Sequence, residues 1–241
     1  MKILEDNLFG KNPYNVLNER YEQMRSFYEN GYNGVNKCAG YDIISGHDKK
    51  GRDLNDALLK VPLSDFSGKI SDYKDYFNLG HDLPFWIEPN NPKGRIMLVS
   101  QDPLRAGQGK GIITLSTPFG IHSPAYRNYG HHKTLTSIVE SIVKQGYSVY
   151  LTDCHKLFGT RSGYKSCISK LTTDIDMSIL REEIKFFSPC KVFALGRQAE
   201  AALNKLHQNS VYIPHPTGAR IKTGKGNKVN NYVNLILSSM P

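Results

Sequence analysis

A three-layer α/β/α protein is expected, with a central, mostly parallel four-stranded sheet and a largely helical N-terminal extension. Short apolar runs alternate with amphipathic helices from residue 95 onward, and Gly or Pro punctuates nearly every junction. The first ninety residues lack that alternation. The 241 residues are therefore divided into an extension, 1–90, and a catalytic-type domain, 91–241.

The elements follow in chain order. Residues 14–31 place Val16, Leu17, Tyr21, Met24 and Tyr28 at helical spacing before Gly31. Residues 32–53 are rich in Gly, Asn and Asp and read as loop. Three prolines punctuate 82–94, the entry to the second unit. RIMLVS (95–100) is a buried parallel strand, and TLTSIVESIVKQG (134–146) is an amphipathic helix ending at Gly146. SVYLTD (148–153) is a second strand, followed by a helix over 176–189 that Pro189 stops. KVFALG (191–196) is a third strand, and 197–208 is an Ala/Leu-rich helix. SVYIPHP (210–216) is a fourth strand, and 229–240 is a closing helix. Such alternation implies right-handed crossovers, with ligands beyond the carboxyl ends of the strands. The loops nominated are 101–120, 153–165, 197 onward and 214–228.

Charge points to a polyanionic partner. The net charge is +9, yet residues 1–90 hold 11 Lys/Arg against 14 Asp/Glu, and the remainder holds 20 against 8. Segments 103–139 and 201–241 contain no acid. The first carries Arg105, Lys110, Arg127 and Lys133 with His122, His131 and His132; the second carries Lys205, Arg220, Lys222, Lys225 and Lys228. Positive potential cleared of acids suits phosphate contacts. No apolar run approaches the roughly 18 residues of a membrane span, so no membrane partner is expected. The N-terminus has no secretory apolar core, and four scattered cysteines make no disulfide framework. A cytoplasmic monomer is the expectation. The Gly-rich stretch 107–111 lacks P-loop spacing, and no CxxC or HxxxH pair suggests zinc.

The motifs at the strand ends are more specific. The first loop reads Ser100-Gln101-Asp102-Pro103-Leu104-Arg105, the second strand ends Thr152-Asp153, and the fourth leads into His215-Pro216-Thr217-Gly218-Ala219-Arg220. In this order, over about 95–240, the chain resembles the uracil-DNA glycosylase superfamily, with its GQDP-like and HPS-like motifs and a small-residue helix start, as in ALGRQAEAAL (194–203). The resemblance implies base flipping and hydrolysis of an N-glycosidic bond in DNA, without metal or cofactor. Asp102 would stabilise the cationic sugar and position water, and His215 would donate to the departing base. Phe119 would stack on the extruded base, although alignment without gaps puts Leu115 there. Gln101 would line the base pocket. Arg105, Lys110, Thr217, Gly218, Arg220, Lys222 and Lys225 would contact DNA, with Arg220, Ile221 and Lys222 as candidates for the wedge that fills the vacated stack. Some members hold an iron–sulfur cluster on four cysteines including a close N-terminal pair; Cys38 stands alone, and no cluster is expected. The absence of an obvious Schiff-base lysine implies base removal without strand cleavage.

Two departures concern the base. Uracil-specific members have Asn where this chain has Asp153. A carboxylate accepts from the amino group of cytosine and, if protonated, donates to cytosine N3. Those members also place Tyr where Leu104 stands, so a 5-substituent would have room. A 5-modified cytosine, such as the glucosylated hydroxymethylcytosine of phage DNA, is thus the expected target, in anti-phage defence. Uracil in repair, or a non-catalytic DNA-binding module, is the alternative. Asp153 could instead cap a turn or bond Lys156.

Overall fold

The computed structural model describes residues 35–39, 58–89, 91–121, 130–162, 165–216 and 227–240. The helix expected over 14–31 lies outside the described residues. The protein is mixed α/β, with ten strands and four α-helices among those residues. The strands are β1 (Val35–Ala39), β2 (Leu59–Pro62), β3 (Phe77–Asp82), β4 (Phe85–Pro89), β5 (Gly94–Ser100), β6 (Ile112–Ser116), β7 (Tyr147–Asp153), β8 (Phe158–Thr160), β9 (Lys191–Leu195) and β10 (Val211–Ile213). The helices are α1 (Gly130–Lys144), α2 (Thr173–Phe187), α3 (Arg197–Lys205) and α4 (Lys228–Ser238).

The larger sheet runs β1-β4-β7-β5-β9-β10. Its β7, β5, β9 and β10 are parallel to one another and coincide with the four runs expected from sequence. The sheet nevertheless has six strands rather than four, because β4 pairs antiparallel with β7 and β1 with β4. Pro84 and Pro89 bracket the β4 run and disguise it as loop. Its alternation is still visible: Phe85 and Ile87 are buried and Trp86 only half-buried.

A second, four-stranded sheet, β2-β6-β3-β8, was not expected. Residues 58–89 are therefore not mainly helix and loop: they supply β2, β3 and β4, with only short 3-10 turns at Leu63–Asp65 and Lys69–Tyr73. The division drawn at residue 90 is bridged by pairing in both sheets, β4 with β7 and β3 with β6 and β8.

Pleating sorts the core. Ile96 and Leu98 of β5 face one side with Val149, Leu151, Phe193, Leu195 and Ile213, under α1 and α4. Met97 and Val99 face the other with Tyr150, Val192 and Ala194, under α2 and α3. Leu135, Ile138, Val139 and Ile142 give α1 its buried stripe. Asn227 caps α4, its side chain accepting from the Val229 N–H at 3.0 Å. A third core joins the second sheet to α2 through Leu79, Ile113, Leu115, Leu157, Ile168 and Ile179. No described helix is long and apolar enough to cross a membrane.

The order β7-β5-β9-β10 means the chain leaves β5 to one side and later returns to the other. Loops from the carboxyl ends of β5 and β9 consequently run to opposite sides, the place where open parallel sheets commonly hold ligands.

His81 on β3 is fully buried, with Nδ1 2.7 Å from the Lys156 carbonyl. Burial holds its pKa down to about 3, so the ring is neutral in the folded chain. The unfolded chain binds the additional proton between roughly pH 6.5 and 3, so stability should fall as pH drops through that window. Urea unfolding of wild type and His81→Gln should show the variant losing less stability between pH 6.5 and 4.

Candidate active site

The site grows from two adjacent strand ends. Ser100 and Asp153 are paired in register where β5 and β7 finish. The following loops stay laced together: Cys154 N–H donates to Ser100 O and His155 N–H to Gln101 O, both at 2.9 Å. The Cys154 thiol, 3.3 Å from Gln101 O, is pushed up to about 12 by burial and the neighbouring Asp153 charge. Asp102 is thereby fixed just beyond β5, half-buried, with Gln101 Nε2 donating to its Oδ2 at 2.9 Å. Burial raises the Asp102 pKa; the Gln101 hydrogen bond, His155 and Arg105 oppose the rise, and Asp82 adds to it.

Arg105, expected on the DNA-facing surface, is buried instead. Its guanidinium pairs with Asp82 of β3, donates from Nε to Thr114 Oγ1 at 3.0 Å, and donates from Nη1 to Leu104 O at 3.2 Å. Thr114 Oγ1 in turn donates to Leu79 O at 3.0 Å. The pairing consumes the charge that sequence reading assigned to phosphates. It also requires Gly80, where a Cβ would lie 2.4 Å from Arg105 Cγ and 2.9 Å from Pro103 O. Leu104 beside it is 61% exposed, and Lys110 is exposed with Nζ 5.0 Å from the Phe77 ring centre. Thr217, Gly218, Arg220, Ile221, Lys222 and Lys225 lie outside the described residues.

Asp153 is buried, hydrogen-bonded to Ser100 Oγ, while its Oδ2 has no hydrogen-bond partner among the described residues. Burial pushes its pKa well up, Asp82 and Asp102 add to the rise, and Ser100 and Lys156 oppose it. Burial thus favours the protonated form, which carries one acceptor oxygen and one O–H donor. Lys156 does not bond this carboxyl. Its buried Nζ bonds the Asp153 backbone carbonyl at 2.6 Å, Thr152 Oγ1 at 2.8 Å and Glu183 Oε2 at 2.6 Å.

The second half of the site is aromatic. Phe119 and His215 have ring centres 5.4 Å apart at 30°. Phe119 adopts φ 59°, a conformation L-residues other than Asn and Asp seldom hold, and its carbonyl lies 2.9 Å from His132 Nδ1. His215 is steadied from α4, where Tyr232 Oη donates to Pro214 O at 2.9 Å and Lys228 Nζ to Pro216 O at 2.7 Å. Gly196, at φ +95°, passes below it; a Cβ there would sit 3.4 Å from His215 Cβ. Leu115, the other position considered for the stacking residue, is buried in the core of the second sheet.

Asp102 and Asp153 thus form one cluster and Phe119 and His215 another, both at the carboxyl edge of the parallel strands. β5 and β10 flank β9, so their ends lie about 10 Å apart at ordinary strand spacing. Sequence reading weighed Lys156 only as a partner of the Asp153 carboxyl and passed over Asp82, His155 and Asp176. His155 and Asp176 lie near the motif residue Asp153 in sequence or space, but only long-range pairing brings Asp82 to Arg105.

No protein-family model and no curated protein matches this chain. The functional reading therefore rests on the site itself. Among the described residues, no group of three or more His, Cys, Asp or Glu side chains is arranged to hold a metal ion.

Gly80→Ala should force the Pro103–Arg105 turn to shift, costing about 1–3 kcal/mol in chemical denaturation. Asp153→Asn should act oppositely. A carboxyl whose folded pKa is raised loses its stabilising contribution as pH rises, so wild type bears a penalty at neutral pH that the amide lacks. The melting temperature of the variant relative to wild type should increase between pH 4 and 8.

Proposed function

We propose that this protein is a monofunctional DNA glycosylase. The observation that carries the reading is the placement of a half-buried carboxylate, Asp102, and an imidazole with an aromatic neighbour, His215, at the same carboxyl edge of the parallel strands. Strand ends about 10 Å apart, on either side of β9, would let side chains from both loops reach one extruded nucleoside. The acid-free segments 103–139 and 201–241 supply positive charge on the same loops.

In this reading the C1′–N bond breaks with its electron pair leaving on the base, and water adds to C1′ while losing a proton. Asp102 stabilises the positive sugar and orients the water; the His215 ring donates to the oxygen where the base accumulates charge. The Phe119 ring lies beside His215, tilted 30° to it, and would give the extruded base an apolar wall.

For the base, neutral Asp153 offers its O–H to cytosine N3 and its carbonyl oxygen to the N4 amino group. Exposed Leu104 leaves the approach to C5 open, which supports a 5-modified cytosine such as the glucosylated hydroxymethyl base of phage DNA, and with it a defence role. A neutral carboxyl also complements N3–H and O4 of uracil, so uracil is the second candidate.

Oligonucleotides carrying uracil, cytosine, hydroxymethylcytosine or its glucosylated form, treated with protein and then alkali, should break at the modified cytosine. Breakage at uracil alone overturns the reading of Asp153, and no breakage on any substrate leaves a non-catalytic DNA-binding module. Asp102→Asn and His215→Ala should each lower kcat by about 10²-fold or more while DNA binding survives. Activity requires ionised Asp102, so it should fall with decreasing pH through a midpoint above the ordinary carboxylate value.

A further inference from the structure

The loop after β5 lies back along β3, from the Asp82 end to the Phe77 end. Arg105 is fastened to Asp82, Gln108 to Asn78, and Lys110 sits at Phe77. Gln108 N–H donates to Asn78 Oδ1 at 2.8 Å, and Gln108 O accepts from Asn78 N–H at 3.2 Å. The Asn78 side-chain amide also donates to Thr160 Oγ1 of β8 at 3.1 Å. Asn78 holds φ 56°, which Asn tolerates better than most residues, and it joins the loop to both strands. Two cation–ring contacts flank this junction. Lys110 Nζ lies 5.0 Å from the Phe77 ring centre, and the Arg161 guanidinium lies 5.0 Å from that of Tyr76. Tyr76 is buried, whereas Phe77 keeps 40% of its surface exposed, and both cations are exposed. Phe77 and Arg161 have no part in the chemistry above.

We propose that Phe77, Lys110 and Arg161 form a second DNA contact, at which Phe77 stacks on an unpaired base and the two cations take the flanking phosphates. The inference rests on the DNA-glycosylase reading for the nature of its partner and narrows that partner to single-stranded DNA. An exposed ring flanked by cations is the combination that binds single strands without regard to sequence, since every base has a flat face and every nucleotide a phosphate. In a duplex each base already stacks on its neighbours, so the ring gains most from an unpaired one. The charge suits the partner: Lys110 belongs to the acid-free segment 103–139, and the exposed Asp75 is balanced by the exposed Lys74 beside it. The spacing suits it as well. Phe77 and Asp82 are the two ends of the six-residue β3, about 17 Å apart at ordinary strand rise. That span equals about five nucleotides at the 3.4 Å repeat of a stacked strand. One strand can therefore lie against Phe77 and still reach the Asp102 turn, which Arg105 holds at the Asp82 end.

The test is a fluorescence-anisotropy titration of labelled DNA with the full chain, as wild type, Phe77→Ala, Phe77→Trp, Lys110→Ala and Arg161→Ala. The probes are a mixed-sequence single strand of the four ordinary bases and the duplex of the same sequence. Phe77→Ala should weaken single-strand binding about 5-fold or more and duplex binding less, while Phe77→Trp should keep it. Lys110→Ala and Arg161→Ala should each reduce the slope of log affinity against log salt by about 0.7. Unchanged single-strand affinity in Phe77→Ala overturns the proposal, as does an equal loss on the duplex, the mark of a merely structural effect. Unmoved salt slopes in both cation variants overturn it as well. Should Phe77→Ala not fold, Phe77→Trp decides: its indole emission must be quenched by the single strand beyond any change in wild type, and absence of that quench overturns the proposal. Failure of wild type to bind either probe overturns the proposal together with the DNA-glycosylase reading. Loss of binding in Phe77→Ala, with no excision by wild type on any oligonucleotide, supports this contact while overturning the glycosylase reading.

Discussion

A buried contact between the Arg105 guanidinium and the Asp82 carboxylate ties the loop after β5 to the second sheet. Three further constraints converge on it: the Thr114 hydroxyl that accepts from Nε, the Leu104 carbonyl that accepts from Nη1, and the missing side chain of Gly80. A buried ion pair contributes little net stability compared with an apolar replacement, but removing one partner strands the other charge at a cost of several kcal/mol. Such a contact therefore specifies geometry more than it stabilises. The geometry specified here is that of the turn carrying Asp102, three residues before Arg105.

The same contact shapes the electrostatics of the site. Asp82, Asp102 and Asp153 come from three separate segments; Asp82 raises the proton affinity of Asp102, and both raise that of Asp153, beyond the larger effect of burial. Arg105 pairs with Asp82, the Gln101 amide donates to Asp102, and Asp153 has only a hydroxyl for a partner. Two carboxyl groups on neighbouring loops thus sit in unequal surroundings: both are pushed up by burial, the fully buried Asp153 further than the half-buried Asp102. Beneath them, Lys156 and Glu183 form a second buried pair that fixes the loop after β7 by its backbone.

The parallel half of the fold was readable because its signals are local. RIMLVS, SVYLTD, KVFALG and SVYIPHP are apolar runs with Gly, Pro or Asp at or near their ends, and the last three each lie between helices with a 3.6-residue stripe. The second sheet was not readable for the converse reason. Its strands run to three to six residues, and β3 finds its partners β6 and β8 some 30 and 80 residues further along the chain. β4, framed by prolines, resembles a linker until it is seen against β7. Pairing across such distances is a property of topology, which no short window of sequence contains.

For the site, the sequence by itself determined which loops matter. Strand ends can be located from local patterning, and parallel strands direct all their carboxyl ends to one edge, so Asp102, Asp153 and His215 had to share it. Tertiary structure alone decided what each side chain does there. It turned Arg105 from a surface cation into an internal clamp, laid Phe119 against His215, and brought Asp82, His155 and Asp176 to the Asp102 turn. The reason is that charge state and exposure are set by surroundings: a carboxyl in sequence is only an acid, and burial together with its neighbours determines whether it is an anion or a donor.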